Sequence, residues 1–450
     1  MPVAISILAF VVAISVLVAV HEFGHFWVAK RLGFKVLRFS IGFGRPLWMR
    51  TAGADRTEYA IAAIPLGGYV KLLDEREGPV AAAELDRSFT RRPVWQRLLV
   101  LCAGPVFNFL FAILAYWVLF MWGVPQTHPV VGEVTVGSHA AQSGLQPRDE
   151  ILRVGDQKTA DPKAVIFALL EELLDDGRVQ LRVRGTKGTE RDLVLSVPDA
   201  RERHGLTEPG ALLKGIGFDF RAPEVPPIVD RPLADGPAAA AGIRSGDHVL
   251  AVDDQRVPTS IDFVNYIRQR PGERVILTVR GKDGERNVPV TIRAEKDDAG
   301  ATIGRIGVEL QRAELERFGP FAALRHASYE TWSMSQLTVS MLWNMVMGRV
   351  SVKNISGPIN IAAFAGETAR VGVRPFLTFL AIVSISLGVL NLLPIPILDG
   401  GQMLFQLIEL AKGSPLSERA QVLGQQVGIA LLLLLMSLAF YNDITSRFLN

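Results

Sequence analysis

Long oily stretches near the two ends of the chain enclose a more polar middle. Four runs are apolar enough to predict membrane helices: residues 3–29, 98–122, 376–398 and 427–440. Crossing bilayer hydrocarbon takes roughly 20 residues of helix, so flanking residues extend the short fourth run. The runs set the expected organisation: transmembrane helix one over 1–30, a cytoplasmic segment over 31–96 and helix two over 97–122. A soluble insert of two domains follows, over 125–222 and 223–312, then an amphipathic helix with linker over 313–375. Helix three spans 376–410 and helix four 427–446. Between helices one and two lie Lys35, Arg38, Arg45, Arg50, Arg56, Lys71, Arg91, Arg92 and Arg97. A short loop this rich in Lys and Arg belongs in the cytoplasm. The insert and both termini are then outside, and Lys412 and Arg419 lie in a second inner loop. No Lys or Arg precedes the first run, which predicts an anchoring helix rather than a signal peptide.

The insert repeats itself. The stretch HAAQSGLQPRDEILRVGDQ (139–157) matches AAAAGIRSGDHVLAVDDQ (238–255), with Gly144 on Gly242, Asp149 on Asp247 and Ile151 on Val249. A period near one hundred residues suits a tandem domain rather than a solenoid. Each copy continues with a helical stretch and then an alternating strand, VQLRVRG or VILTVRG. This order resembles a PDZ domain, twice in one register. Such domains bind extended peptides by strand addition. Service as spacers or steric gates with empty grooves is the alternative.

Two further segments stand out, the first apolar and the second amphipathic. YAIAAIPLGGYVKLLDE (59–75) reads as strand, Pro-Leu-Gly-Gly turn and strand. It is a hairpin that either dips into the bilayer under protein cover or stays in the cytoplasm. FAALRHASYETWSMSQLTVSMLWNMVMG (321–348) is a helix with Trp332 and Trp343 among its apolar positions. It lies on the outer membrane surface or packs on the second repeat.

Composition changes little. A net charge of +3 gives no argument for a nucleic-acid partner, and the single Cys102 excludes an internal disulfide. Cys102 reads as a small buried hydrophobe.

The chemistry sits in the first apolar run. His21, Glu22 and His25 form H-E-x-x-H. On a helix, residues i and i+4 share a face, so both imidazoles reach one metal ion. Glu22 is placed to take a proton from water. Three ionisable groups in a bilayer helix cost several kcal/mol unless a function or partner holds them. Hydrolytic zinc needs about three protein ligands and an open position. Asp399, in NLLPIPILDGGQ (391–402), is the first acid met along the third apolar stretch and the natural third ligand. At about 1.5 Å per helical residue, His21 lies roughly 14 Å from Lys30 and Asp399 at most roughly 20 Å from Lys412. Pro394 and Pro396 interrupt the helix there. That break either exposes backbone and Asn391 to an extended substrate or merely kinks the helix for packing. The other histidines, His128, His139, His204, His248 and His326, show no ligand spacing.

The combination resembles the site-2 protease family of intramembrane zinc metalloproteases. The matching motifs are HEFGH (21–25), GFG (42–44), IPLGGYVKLLDE (64–75), AGPVFNFLFA (103–112), the tandem repeat, SGPINIA (356–362) and NLLPIPILDGG (391–401), in family order over essentially the whole chain. The resemblance implies a polytopic α-helical membrane protein of four transmembrane helices. It also implies a membrane-associated β-hairpin, and two tandem α+β PDZ domains between helices two and three. It implies Zn2+ on His21, His25 and Asp399, with Glu22 as general base. Asn391, Pro394, Pro396, Gly67, Gly68 and Asn108 would bind or position substrate. One departure is Arg45 before Pro46, where the family often reads G-F-G-P. The implied substrate is a single-pass anti-sigma factor already trimmed outside by a site-1-type protease, with signal-peptide remnants as a second class. The implied setting is the bacterial inner membrane, with the PDZ pair periplasmic and the site nearer the cytoplasmic side. Two other readings compete: a PDZ adaptor with a dead metal site, and a metal transporter. The intact H-E-x-x-H and Asp399 argue against the first. Helices two and four supply almost no polar residues, which argues against the second.

Overall fold

A computed structural model describes residues 2–125, 127–221, 225–296, 300–311 and 315–448. They group into two bodies. One takes Met1–Val124, Asp199–Leu212 and Arg317–Asn450; the other takes Pro125–Pro198 and Leu213–Glu316.

The first body starts with helix α1 (Pro2–Arg31), strands β1 (Val36–Ala52) and β2 (Thr57–Leu72), and helix α2 (Val94–Trp122). It resumes with α3 (Pro320–Val346), α4 (Pro358–Val371), α5 (Val373–Asn391), α6 (Asp399–Lys412) and α7 (Glu418–Phe448). Four of these, α1, α2, α5 and α7, are long and apolar enough to cross a membrane. The single third helix expected over 376–410 is in fact two. α5 stops at Asn391, where Pro394 and Pro396 cannot continue the hydrogen-bond ladder, and α6 starts afresh at Asp399. Asp399 and Lys412 therefore lie on one unbroken helix, and the irregularity falls before Asp399 rather than after it. α7 begins at Glu418 rather than at 427.

Small side chains bring the helices together. Ala112, Ala115, Ala327 and Ala381 are buried with Tyr116, Leu119, Ile385 and Val389 in one cluster of α2, α3 and α5. Close backbone approach is the expected packing where lipid removes the hydrophobic drive between helices. α3 was expected on the membrane surface or on the second repeat. It packs on α2 and α5 through Ala327, Met334 and Leu342, and turns Phe321, Trp332 and Trp343 outward.

The hairpin closes at Gly53–Arg56, where Gly53 has φ +78° and Arg56 +51°. The turn expected at Pro65–Gly68 is not a turn; those residues lie within β2. Each strand bends so that its halves find different neighbours: Ile41 faces Gly68 on one side and Ile61 on the other. Asp55 fastens the turn to the end of α1 through Lys30 at 2.8 Å and to Arg87 at 2.7 Å.

The second body contains the repeat as two four-stranded sheets of identical order. Strands 150–154, 157–158, 178–184 and 190–196 form one; strands 248–252, 255–256, 274–281 and 284–291 form the other. Helices Pro162–Asp175 and Ser260–Arg268 sit between the second and third strands of each, capped by the side chains of Asp161 and Thr259. The aligned acids do the same work. Asp149 accepts from the Gln146 amide and pairs with Arg191; Asp247 accepts from the Arg244 amide and pairs with Arg286. Ile151 and Val249 are buried in the two cores.

Candidate active site

α1 puts His21 and His25 on one face, their ring centroids 4.8 Å apart. The break in the third membrane segment swings Asp399, first residue of α6, onto them. Asp399 Oδ2 lies 3.2 Å from His21 Nε2 and 3.5 Å from His25 Nε2, and the two nitrogens are 3.2 Å apart. Atoms about 2.0–2.1 Å from a tetrahedral zinc stand roughly 3.3 Å from one another, so this triangle has the dimensions of one face of a zinc site. Oδ2 is buried and finds no hydrogen-bond partner. A buried carboxylate oxygen left so is costly unless a cation takes it. Among the described residues this is the one cluster of three such side chains.

α2 orients both rings. His25 Nδ1 is 2.8 Å from the Val100 carbonyl. A carbonyl only accepts, so Nδ1 carries the proton and Nε2 offers its lone pair. Pro105 lies inside α2, where its missing N–H leaves the Leu101 carbonyl, next to Val100, without a ladder donor. His21 Nδ1 is 3.2 Å from the amide nitrogen of Asn108, whose Oδ1 has no partner. Amide orientation is assigned from its network. Turned over, the amide gives Oδ1 the His21 proton and leaves His21 Nε2 free as well. The two helices approach closely here. A Cβ on Gly24 would lie 2.5 Å from the Ala103 carbonyl oxygen, and one on Gly104 would lie 2.7 Å from Cε1 of both histidines.

A cavity of about 440 Å3 opens beside the cluster. His21, Glu22, His25, Gly68, Asn391 and Asp399 line it, together with Tyr69–Leu72 of β2. Residues 68–72 pair with β1 on one side only, so their other edge faces the cavity. Of the expected site residues, Asn108 is fully buried against His21 rather than on the cavity wall. Gly67 packs on the Phe43 ring. Pro396 rests near Gly424 and Gly428 of α7, and its carbonyl accepts from Gln402 at 2.7 Å. Pro394 shapes the break without lining the cavity. Val100 and Gly104 escaped sequence reasoning. A carbonyl leaves no side-chain signature, though Gly-Pro inside an apolar helix marks a close, distorted approach.

The sequence pattern of peptidase family M50 matches residues 9–435. The chain belongs to peptidase family M50. This M50 peptidase is 41% identical over 444 residues to the regulator of sigma-E protease RseP of Escherichia coli (strain K12), covering 97% of each chain. It is 39% identical over 451 residues to protease RseP of Yersinia pestis, covering 97% of this chain and 98% of that one. Among solved structures, a PDZ domain of an SdrC-like protein from Listeria monocytogenes matches at 23% identity and TM-score 0.18, over 20% of this chain and 92% of that domain. The M50 peptidase is a zinc metalloprotease of the site-2 type, and its three facing lone pairs fit that metal.

Proposed function

We propose that this chain cleaves a single-pass membrane protein within its transmembrane segment, using His21, His25 and Asp399 to hold zinc and Glu22 as general base. The observation that carries the reading is the triangle of His21 Nε2, His25 Nε2 and Asp399 Oδ2, with 3.2, 3.2 and 3.5 Å edges. Bound there, zinc supplies Lewis acidity and makes water acidic enough to deprotonate near neutral pH. Glu22 lines the same cavity and takes the proton of the attacking water, then returns one to the leaving amine. Asn391 lines the cavity at the end of α5 and offers its amide to the substrate backbone. The free edge of residues 68–72 receives the unwound substrate as an added strand, which satisfies peptide groups that the substrate's own helix no longer pairs. Pro394 and Pro396 keep the 392–398 segment open, and Asn108 serves the site by orienting His21.

The Escherichia coli relative's name extends the reading to sigma-E regulation, and the four apolar helices support a setting in the bacterial inner membrane. The substrate is then an anti-sigma factor trimmed outside by another protease, with signal-peptide remnants as a second class. The two repeats, over 125–222 and 223–312, act as PDZ domains on the periplasmic side, taking peptides or excluding untrimmed substrates. The test is cleavage in liposomes of a trimmed single-pass protein by wild type and Glu22→Gln, with zinc measured in both. Wild type cuts inside the membrane segment, and Glu22→Gln keeps zinc without cutting. A cutting Glu22→Gln sinks the base assignment, and failure of zinc-loaded wild type to cut several such substrates sinks the protease reading.

A further inference from the structure

Arg97 counts from sequence among the positive charges of the cytoplasmic loop. In the structure it is 6% exposed, in the first turn of α2. Its guanidinium grips Glu409 of α6 as a fork, Nη1 to Oε2 at 3.1 Å and Nη2 to Oε1 at 2.6 Å, while its Nε has no partner. Neither charge helps its own helix. A cation in a first turn and an anion in a last turn both oppose the helix dipole, and Glu409 falls in the last turn of α6. What holds them is each other, across two helices, beside the Asp74–Arg76 pair, whose acid attracts Arg97 and whose cation attracts Glu409.

The place of that contact matters because the lead-in of α6, the broken segment 392–398, meets only its first turn, where Gly400 and Gly401 pack on the Leu392 and Ile395 carbonyls. Gln402 ties α6 only to that same segment, through the Pro396 carbonyl. Among the described residues, no ion pair other than those of Asp399 with the histidines joins α6 to another helix besides Arg97–Glu409. Asp399 lies roughly 15 Å up a continuous helix from Glu409, so sliding or turning α6 at one end moves the carboxylate at the other. One turn beyond Arg97, the Val100 carbonyl holds His25, and Asn108 farther along holds His21. α2 thus references all three side chains of the cluster.

We propose that Arg97 and Glu409 are positioning residues: their bidentate pair sets the height and rotation of α6, and so keeps Asp399 within coordinating distance of His21 and His25. This rests on the reading of Asp399 as a zinc ligand. The experiment uses full-length, zinc-loaded protein in detergent, challenged with graded chelator, with kcat, KM and thermal midpoint measured alongside. Glu409→Asp keeps the charge and shortens the arm; Arg97→Lys keeps the charge and loses the fork. These conservative variants serve if Glu409→Gln fails to fold. Expected are a tenfold or greater loss of zinc retention in each, a fall in kcat with KM held within twofold, and partial recovery in the Arg97→Glu/Glu409→Arg exchange. Asp399→Asn is the reference. If it sheds zinc while Glu409→Asp and Arg97→Lys match wild type within twofold, the positioning role is wrong and the ligand assignment stands. If Asp399→Asn itself holds zinc like wild type, the ligand assignment falls and the positioning role with it.

Discussion

Replacing Gly104 by alanine puts a methyl where the two imidazoles converge. The added carbon would lie 2.7 Å from Cε1 of His21 and of His25, and closer still to His25 Nε2. Ordinary carbon–carbon contact begins at about 3.5 Å, so the rings must retreat by close to 1 Å. Metal sites tolerate about 0.2 Å in ligand distance. The helices have little room to separate instead: that would break the His25 bond to the Val100 carbonyl at 2.8 Å, which keeps Nε2 free. Loss of an orienting partner alone costs about 10–100-fold in metal affinity, and direct displacement of ligands belongs at the upper end. A hundredfold is about 2.8 kcal/mol. The assay is zinc stoichiometry and chelator competition on purified Gly104→Ala, with cleavage measured in parallel. Wild-type zinc retention and turnover in that variant would refute the packing argument and the placement of the metal between these rings.

Gly68→Ala separates chemistry from metal binding. A Cβ there would meet Glu22 Cγ at 2.9 Å and the Ser40 carbonyl at 2.7 Å, so kcat should fall about 10–100-fold while zinc stays; equal loss of zinc would contradict it. Asp443 is fully buried and accepts the amides of Gly357, Ile359 and Asn360 at 2.8, 2.8 and 3.1 Å, capping α4. Asp443→Ala should cost about 1–3 kcal/mol, read as faster hydrogen exchange in the first turn of α4, and Asp443→Asn less; unchanged exchange in both would remove the cap from the account. The Asp55 carboxyl is held down to about 2 by the hydrogen bond from Arg87, and by Lys30 at the end of α1. A depressed folded pKa adds stability that is complete above the unfolded value of 3.8 and is lost as pH falls toward about 2. Trp48 fluorescence should therefore report loosening of the hairpin between pH 4 and 2, and Asp55→Asn should flatten that transition; the same transition in the variant would assign it elsewhere.

The four apolar runs were legible because bilayer-length hydrophobicity is a strong local signal, and H-E-x-x-H because its spacing encodes its own geometry. The repeat was legible for a similar reason: Asp149 and Asp247 anchor the same turn in each copy. The hairpin turn was misplaced because Pro65–Gly68 carries turn residues, yet the strand uses them to bend past the site while Gly53–Arg56 closes the loop. The split of the third membrane segment was hinted at by Pro394 and Pro396. Its consequence, that Asp399 starts a new helix, depends on where that helix docks, and the docking pair Arg97–Glu409 joins residues more than 300 positions apart. Asn108 looked like a substrate contact because only its neighbourhood was readable; its side chain was settled by the depth at which α2 packs on α1.

The central claim is the identity of the ligands, and X-ray absorption at the zinc edge tests it most directly. The purified, zinc-loaded chain should show two imidazoles and carboxylate or water oxygen at about 2.0–2.2 Å, with the light-atom ligand count falling in Asp399→Ala. A sulfur scatterer at about 2.3 Å would put Cys102 on the metal instead. That result, or a spectrum unchanged by removing Asp399, would contradict the site described above.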